Sequence, residues 1–176
     1  DLATGTHRGH GLALAKGVDP ASLMAEIMGR ASGVCGGRGG SQHVACAERN
    51  FIGTNGITGG GLALAAGAAL ACKHRANGKI VAVSLGDGAT SQGAFHETLN
   101  IAVLWGLPVL FVCENNLYGM STHIEKASSE PELWKRAAAY NLHSSRVEGN
   151  DLETLLGVFR DAVDRVRTKS EPVFVE

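Results

Sequence analysis

The stretch Lys79 to Gly119, KIVAVSLGDGATSQGAFHETLNIAVLWGLPVLFVCENNLYG, constrains the fold more than any other part of the chain. It reads as strand, acidic glycine turn, helix, strand and then an asparagine pair. Ile80 to Leu85 is a short β-rich apolar run, the pattern of a strand buried on both faces of a parallel sheet. Gly86-Asp87-Gly88 stops it. Phe95, Leu99, Ala102 and Val103 then fall at helical spacing within Ala94 to Trp105, and Gly106 and Pro108 close that helix before Val109 to Cys113 resumes the strand pattern. The βαβ order predicts an α/β fold, a mostly parallel sheet with helices on both faces.

Parallel strands in neighbouring positions leave the sheet at the same carboxyl edge, so Asp87 and Asn116 are placed to share one ligand. Asp87 is expected there as an exposed edge carboxylate. The helix that starts near Ala94 is expected to point its positive end at that edge, favouring an anion. Gly88 and Ala89 are small enough for their backbone N–H groups to approach phosphate oxygens. A carboxylate with an amide oxygen is a hard, oxygen-only set that suits Mg²⁺ bridging protein and phosphates.

At 176 residues and 44% hydrophobic, the chain suits a single domain over 1–176 with a sizeable core. Its 16 Lys and Arg against 17 acids leave a net charge of -1, so no general field draws it to nucleic acid or to anionic lipid. Cys35, Cys46, Cys72 and Cys113 lie far apart with no finger spacing and read as reduced thiols of a cytoplasmic protein. No stretch resembles a secretory signal, and the long uncharged run from Phe51 to Cys72 is too glycine-rich for a membrane span.

Taken in order, the chain first offers His7-Arg8-Gly9-His10-Gly11, where Arg8 is either a planar fork for a diphosphate or a solvated turn residue. Asp19-Pro20 is a cap and first-turn proline, and Leu23, Met24, Ile27, Met28 and Ala31 mark a helix face expected in the core. The glycines from Gly36 to Gly40 read as a mobile connector, and His43 just beyond it is left unassigned to the cleft. Asn55 to Gly60 is a loop entering a small-residue helix, Leu62 to Ala76, on which Ala63, Gly67 and Ala71 make a face that another helix can approach closely. Tyr118 to Ser129 reads as a polar loop and Pro131 to Tyr140 as a helix capped by Ser129. A weak strand covers Asn141 to Val147. The clearest amphipathic helix carries Leu152, Leu155, Leu156, Phe159, Val163 and Val166, and Pro172 to Val175 begins a strand.

GDG, the twenty-six residues from Ala89 to Glu114, and Asn115-Asn116 together resemble the thiamine-diphosphate signature. ENNLYGMST is similar to the α subunits of two-component 2-oxo acid dehydrogenases, and THRGHG (Thr6 to Gly11), GGRGGSQH (Gly36 to His43) and NGITGG (Asn55 to Gly60) follow in that family's order. The resemblance implies a diphosphate-anchoring domain that binds thiamine diphosphate and Mg²⁺. It places Asp87, Asn116 and the Tyr118 carbonyl on the metal, Gly88, Ala89, His7 and Arg8 at the diphosphate, and Gly56 and Thr58 at the aminopyrimidine ring. His7 stands where the family has Tyr.

The same resemblance implies an E1 β subunit, in an α2β2 heterotetramer, that supplies the activating glutamate, so the catalytic residues of this chain stay unassigned. It also implies a lipoyl-bearing E2 acyltransferase partner and a small 2-oxo acid substrate such as pyruvate. The family's N-terminal and C-terminal extensions, including a loop with an active-site histidine, are missing from these residues. Acetoin is the rival substrate, because THRGHG resembles acetoin dehydrogenase α subunits while YGMST leans to the pyruvate enzymes. A nucleotide-binding module fits less well, since Gly93 falls two residues beyond the GxGxxG register. A non-catalytic assembly subunit is the remaining class.

Overall fold

The computed structural model describes residues 1–176. In chain order the elements are β1 (Leu2–Thr6), α1 (His10–Ala15), α2 (Pro20–Ile27), β2 (Phe51–Asn55), α3 (Gly60–His74), β3 (Val81–Gly86), α4 (Gly93–Leu104) and β4 (Val109–Glu114). They continue with a two-residue hairpin, β5 (Tyr118–Gly119) and β6 (Thr122–His123), then α5 (Ile124–Ala127), α6 (Leu133–Ala138), β7 (His143–Ser145), α7 (Leu152–Lys169) and β8 (Val173–Val175). Six strands form one sheet in the order β2-β1-β3-β4-β8-β7, and every neighbouring pair is parallel.

Alternation along the central strands explains why both faces carry helices. Val81, Val83, Leu85, Val109 and Phe111 point to one side, where they pack with Leu62, Ala65 and Ala69 of α3 and Phe95, Leu99 and Ala102 of α4. Leu110, Val173 and Val175 point to the other, against Ala162 and Val166 of α7, while Ala3 and Phe51 pack with Ala13 of α1 and Leu23 of α2. Phe51, Phe95, Phe111 and Phe174 are all but sealed from solvent. Each contributes roughly 1.5–3 kcal/mol by burial.

Several elements differ from their sequence reading. β1 and β2 carry little apolar signal of their own, LATGT and FIGTN, and become strands because β3 supplies a template beside β1. Met24 and Met28 lie outside the core, 56% and 62% exposed, and α2 buries Leu23 and Glu26 instead. α7 likewise leaves Leu152 and Leu156 in solvent and seats Ala162 and Val166. α6 starts at Leu133 without a side-chain cap, because Ser128 donates to the Glu130 carbonyl and Ser129 caps nothing. The polar loop after Tyr118 contains the β5–β6 hairpin and the single turn of α5.

The glycine segment is not a loose connector. The Glu26 carboxylate accepts hydrogen bonds from the amides of Cys35 (2.7 Å), Gly37 (2.8 Å), Gly39 (2.7 Å) and Gly40 (3.1 Å). Gly37 has φ +74°, and a Cβ there would come within 2.7 Å of the Arg30 carbonyl oxygen, so glycine is required for the chain to wrap the carboxylate. Burial opposes ionisation of Glu26, yet the four amide donors outweigh it and hold the carboxyl below its usual range.

A carboxyl whose charged form is favoured on folding stabilises the chain above its unfolded pKa of about 4.3, and that contribution fades as pH falls through the lower folded value. The urea midpoint of the wild type should therefore exceed that of Glu26→Gln at pH 7, and the gap should narrow below about pH 4. A gap that stays constant from neutral pH into that range would mean that the negative charge does not hold the loop.

Candidate functional site

Four strand ends meet at the carboxyl edge of the sheet and line one cavity of about 370 Å³. Thr6, His7 and Arg8 come from the end of β1, Asn55 to Gly59 from the end of β2, Leu85 to Ala89 from β3, and Glu114, Asn116 and Tyr118 to Met120 from β4 and the hairpin. The sheet order makes this position a switch point: the chain leaves β1 for β2 on one side and returns across it to β3 on the other. Every candidate site residue, His7, Arg8, Gly56, Thr58, Asp87, Gly88, Ala89, Asn116 and Tyr118, lines this cavity. His10 does not. Its Nε2 pairs with Ser41 at 2.9 Å, and His43 is an exposed residue outside the lining.

Asp87 is only 5% exposed, which corrects its reading as an open edge carboxylate. A short 3₁₀ turn over Asp87–Ser91 follows β3, and the Thr90 hydroxyl donates to the Asp87 carbonyl oxygen at 2.8 Å. Arg136 of α6 fixes Thr90 in turn, donating from Nη1 to Oγ1 at 3.0 Å. None of the chain's ion pairs involves Asp87 or Arg8. The protein's side-chain hydrogen bonds reach the Asp87 backbone but leave its carboxylate unpartnered. Every side-chain N or O atom fully sealed from solvent has a partner, so the Asp87 oxygens face the cavity and not dry core. A nearly buried, unpartnered carboxylate is costly unless a cation meets it.

The asparagine pair divides its work. Asn115 turns away, donating from Nδ2 to Glu176 Oε1 at 2.7 Å, while Asn116 lines the cavity and accepts the Tyr118 amide on Oδ1 at 3.1 Å. A carboxamide oxygen carries two lone pairs, so Asn116 Oδ1 keeps one for a ligand. Leu117 (φ +70°) and Met120 (φ +55°) adopt left-handed backbone that side chains seldom take, and they fold the hairpin back over the turn. A Cβ on Gly119 would lie 3.7 Å from the Gly88 Cα, so the two glycines bring backbone against backbone at the cavity wall.

The helix start at the cavity is not the expected one. The 3₁₀ turn separates Asp87 from α4, and neither Gln92 nor Gly93 lines the cavity; Gly59, which opens α3 at φ +77° without a side-chain cap, does. The positive helix end at this cavity thus belongs to α3. No cluster of three or more His, Cys, Asp or Glu side chains is present, so a metal at this edge would rely on mixed carboxylate, carboxamide and carbonyl oxygens.

A larger cavity of about 980 Å³ lies across β4, toward β7 and β8. Its most buried acid is already satisfied: Glu176 accepts from Asn115 and from the Trp134 amide (2.8 Å), with Arg146 at 4.0 Å. The smaller cavity holds the free donors. The four cysteines are unpaired; burial first, then Glu176, Asp87 and Glu114, pushes the Cys113 thiol up and leaves it an inert wall. No helix is long and apolar enough to cross a membrane.

The family model described as dehydrogenase E1 component matches residues 1–176. The chain belongs to the dehydrogenase E1 component family. The resemblance drawn from GDG, the asparagine pair and ENNLYGMST is thereby borne out. Among E1-type relatives, the α subunit of acetoin:2,6-dichlorophenolindophenol oxidoreductase from Bacillus subtilis is 46% identical over the whole chain and 53% of its own length. The pyruvate dehydrogenase E1 component α subunit from Zymomonas mobilis is 43% identical over 97% of the chain and 48% of its own length. The chain thus spans about half the length of these E1 relatives. The solved structure of benzoylformate decarboxylase from Polynucleobacter necessarius superimposes with a TM-score of 0.56 at 21% identity. That superposition covers 72% of this chain and 25% of the other and agrees with the α/β fold.

Proposed function

We propose that this chain is the cofactor-anchoring part of an α subunit in a thiamine-diphosphate-dependent 2-oxo acid dehydrogenase E1, of the pyruvate type. The unpartnered Asp87 carboxylate facing the switch-point cavity is the observation that carries this reading. Asp87, the spare lone pair of Asn116 Oδ1 and the Tyr118 carbonyl form an oxygen set that fits Mg²⁺. Arg8, His7 and the Gly88 and Ala89 amides would hold the diphosphate, and backbone groups at Gly56 and Thr58 the aminopyrimidine ring. Bound thiamine diphosphate supplies a stabilised carbanion for cleaving the bond next to a carbonyl. This chain's own task is to bind, orient and neutralise charge.

An E1 β subunit completes the active site in this reading, and a lipoyl-bearing E2 receives the acyl group. The exposed stripe Ala63, Gly67 and Ala71 on α3, with Leu64 beside it at 54% exposure, gives a partner helix a surface it can approach closely. Acetoin is the second substrate reading, favoured by THRGHG and by the 46% identity to the acetoin-type α subunit.

With a matching β chain present, calorimetry should register thiamine diphosphate only when Mg²⁺ is added, and NAD not at all. Steady-state turnover of pyruvate against acetoin then separates the substrates. Cofactor binding indifferent to Mg²⁺ would remove the metal assignment, and turnover of acetoin alone would remove pyruvate.

A further inference from the structure

Glu26 and the glycine loop do more than close a surface turn, because the loop continues directly into two walls of the candidate cavity. After Gly40, the last amide held by Glu26, Ser41 pairs through its carbonyl and its hydroxyl with His10 Nε2, both at 2.9 Å. His10 opens α1 immediately beyond the Thr6 to Arg8 wall. The next residue, Gln42, accepts the Thr54 hydroxyl on its carbonyl oxygen at 2.8 Å, and the same Thr54 oxygen receives the Val44 amide at 2.9 Å. Gln42 also rests on the neighbouring wall at the end of β2, since a Cβ on Gly56 would come within 3.0 Å of its Oε1. Thr54 in turn packs against Gly9, the residue that follows the Thr6 to Arg8 wall: a Cβ on Gly9 would lie 2.2 Å from its Cγ2.

We propose that Glu26 is a positioning residue for the cofactor cavity: by gathering four loop amides it fixes Ser41 and Gln42, which set the spacing between the Arg8 wall and the Gly56 wall. The inference rests on the thiamine diphosphate reading above. Glu26 touches no ligand itself. It is fully buried and lies outside the cavity lining.

The carboxylate is needed as an acceptor and not as filler. The Cys35 and Gly37 amides share Oε2, and the Gly39 and Gly40 amides share Oε1. Glutamine has nearly the same shape but offers one oxygen and replaces the other with an N–H donor, which would face two amide donors and satisfy neither. Filling volume would make Glu26→Gln harmless; presenting two acceptors makes it disruptive.

The test uses the full-length chain with its β partner and reads cofactor affinity and amide exchange. Wild type, Glu26→Gln and Gln42→Ala are titrated calorimetrically with thiamine diphosphate and Mg²⁺, with circular dichroism to follow the fold. Glu26→Gln should weaken binding about tenfold, the lower end of what supporting residues around a bound group cost, and Gln42→Ala should weaken it in the same direction. A folded Glu26→Gln that binds as the wild type does would overturn the proposal. Absence of binding by the wild type itself would instead remove the thiamine diphosphate reading.

Reciprocity gives a second measurement that needs no variant: if loop order favours the cofactor, the cofactor must favour loop order by the same free energy. Hydrogen exchange at Gly37, Gly39 and Gly40, none of which lines the cavity, should slow when thiamine diphosphate and Mg²⁺ bind to the wild type. Exchange there that is unmoved while Asn55 and Gly56 become protected would also overturn it. This measurement decides the matter should Glu26→Gln fail to fold.

Discussion

Asp87→Ala is expected to lower Mg²⁺-dependent thiamine diphosphate affinity by about a hundredfold or more, since even residues that only support metal ligands cost 10- to 100-fold when removed. The same change is expected to leave the ligand-free chain at least as stable as the wild type. The two effects share a cause. The Asp87 side chain is almost buried, belongs to no ion pair and receives no hydrogen bond from the protein, so folding removes much of its water without supplying a partner. Such a group lowers stability until a cation arrives, which is the usual signature of a residue kept for binding. Its backbone is held independently, through Thr90 and Arg136, so truncating the side chain leaves the turn closed. Calorimetric titration beside thermal unfolding of ligand-free protein checks both halves. Unchanged affinity would dismiss the metal role, and a large fall in melting temperature would reveal a structural role for the carboxylate.

The convergence of the candidate site residues on one cavity was largely legible from the sequence because they sit where a local pattern ends. A strand reading that stops at Gly86 and another that stops at Glu114 fix where Asp87 and Asn116 emerge, and parallel pairing puts them on one edge. The contributions of β1 and β2 were not legible as structure. LATGT and FIGTN carry threonine and glycine where a buried strand usually carries branched apolar residues, and they pair because β3 lies beside β1 and β1 beside β2. Their loops, Thr6 to Gly11 and Asn55 to Gly60, read as turns with Arg8 left between two roles, and only the family resemblance tied His7, Gly56 and Thr58 to a cofactor.

What the sequence hid is mostly long-range hydrogen bonding. Glu26 stands in an apolar helix pattern whose methionines look like core, and only the fold reveals that the carboxylate is inside and the methionines out. A glycine run exposes backbone donors that need an acceptor, and an acid 9 to 14 residues upstream was the available signal. Arg136 and Thr90 are separated by forty-six residues, and no spacing rule links them. α4 does not present its positive end to the cavity for a local reason: the five-residue 3₁₀ turn after β3 sets that helix start away, leaving the position to α3.

Phe95→Ala should produce the largest loss of stability of any single truncation considered, about 3–5 kcal/mol. For a chain of this size that corresponds to a fall of roughly 6–20 °C in melting temperature, at about 2–4 °C per kcal/mol. The ring is completely buried and joins three parts of the fold. It meets Phe174 of β8 edge-on at 6.0 Å, lies 5.2 Å from the His96 ring, and carries the Arg136 guanidinium 6.0 Å from its centre. Close packing on every side leaves little room for collapse, so most of the lost volume stays as a cavity. Arg136 loses the face it rests on but keeps its bond to Thr90, and Phe95 does not line the candidate cavity. At a temperature where the variant remains folded, its thiamine diphosphate affinity should therefore stay within a few-fold of the wild type, the reverse of the Asp87→Ala pattern. Parallel melting and titration of the two variants tests that separation: a Phe95→Ala protein that melts normally would place the core elsewhere, and one that folds but binds a hundredfold more weakly would tie the Asp87 turn to the packing beneath α4.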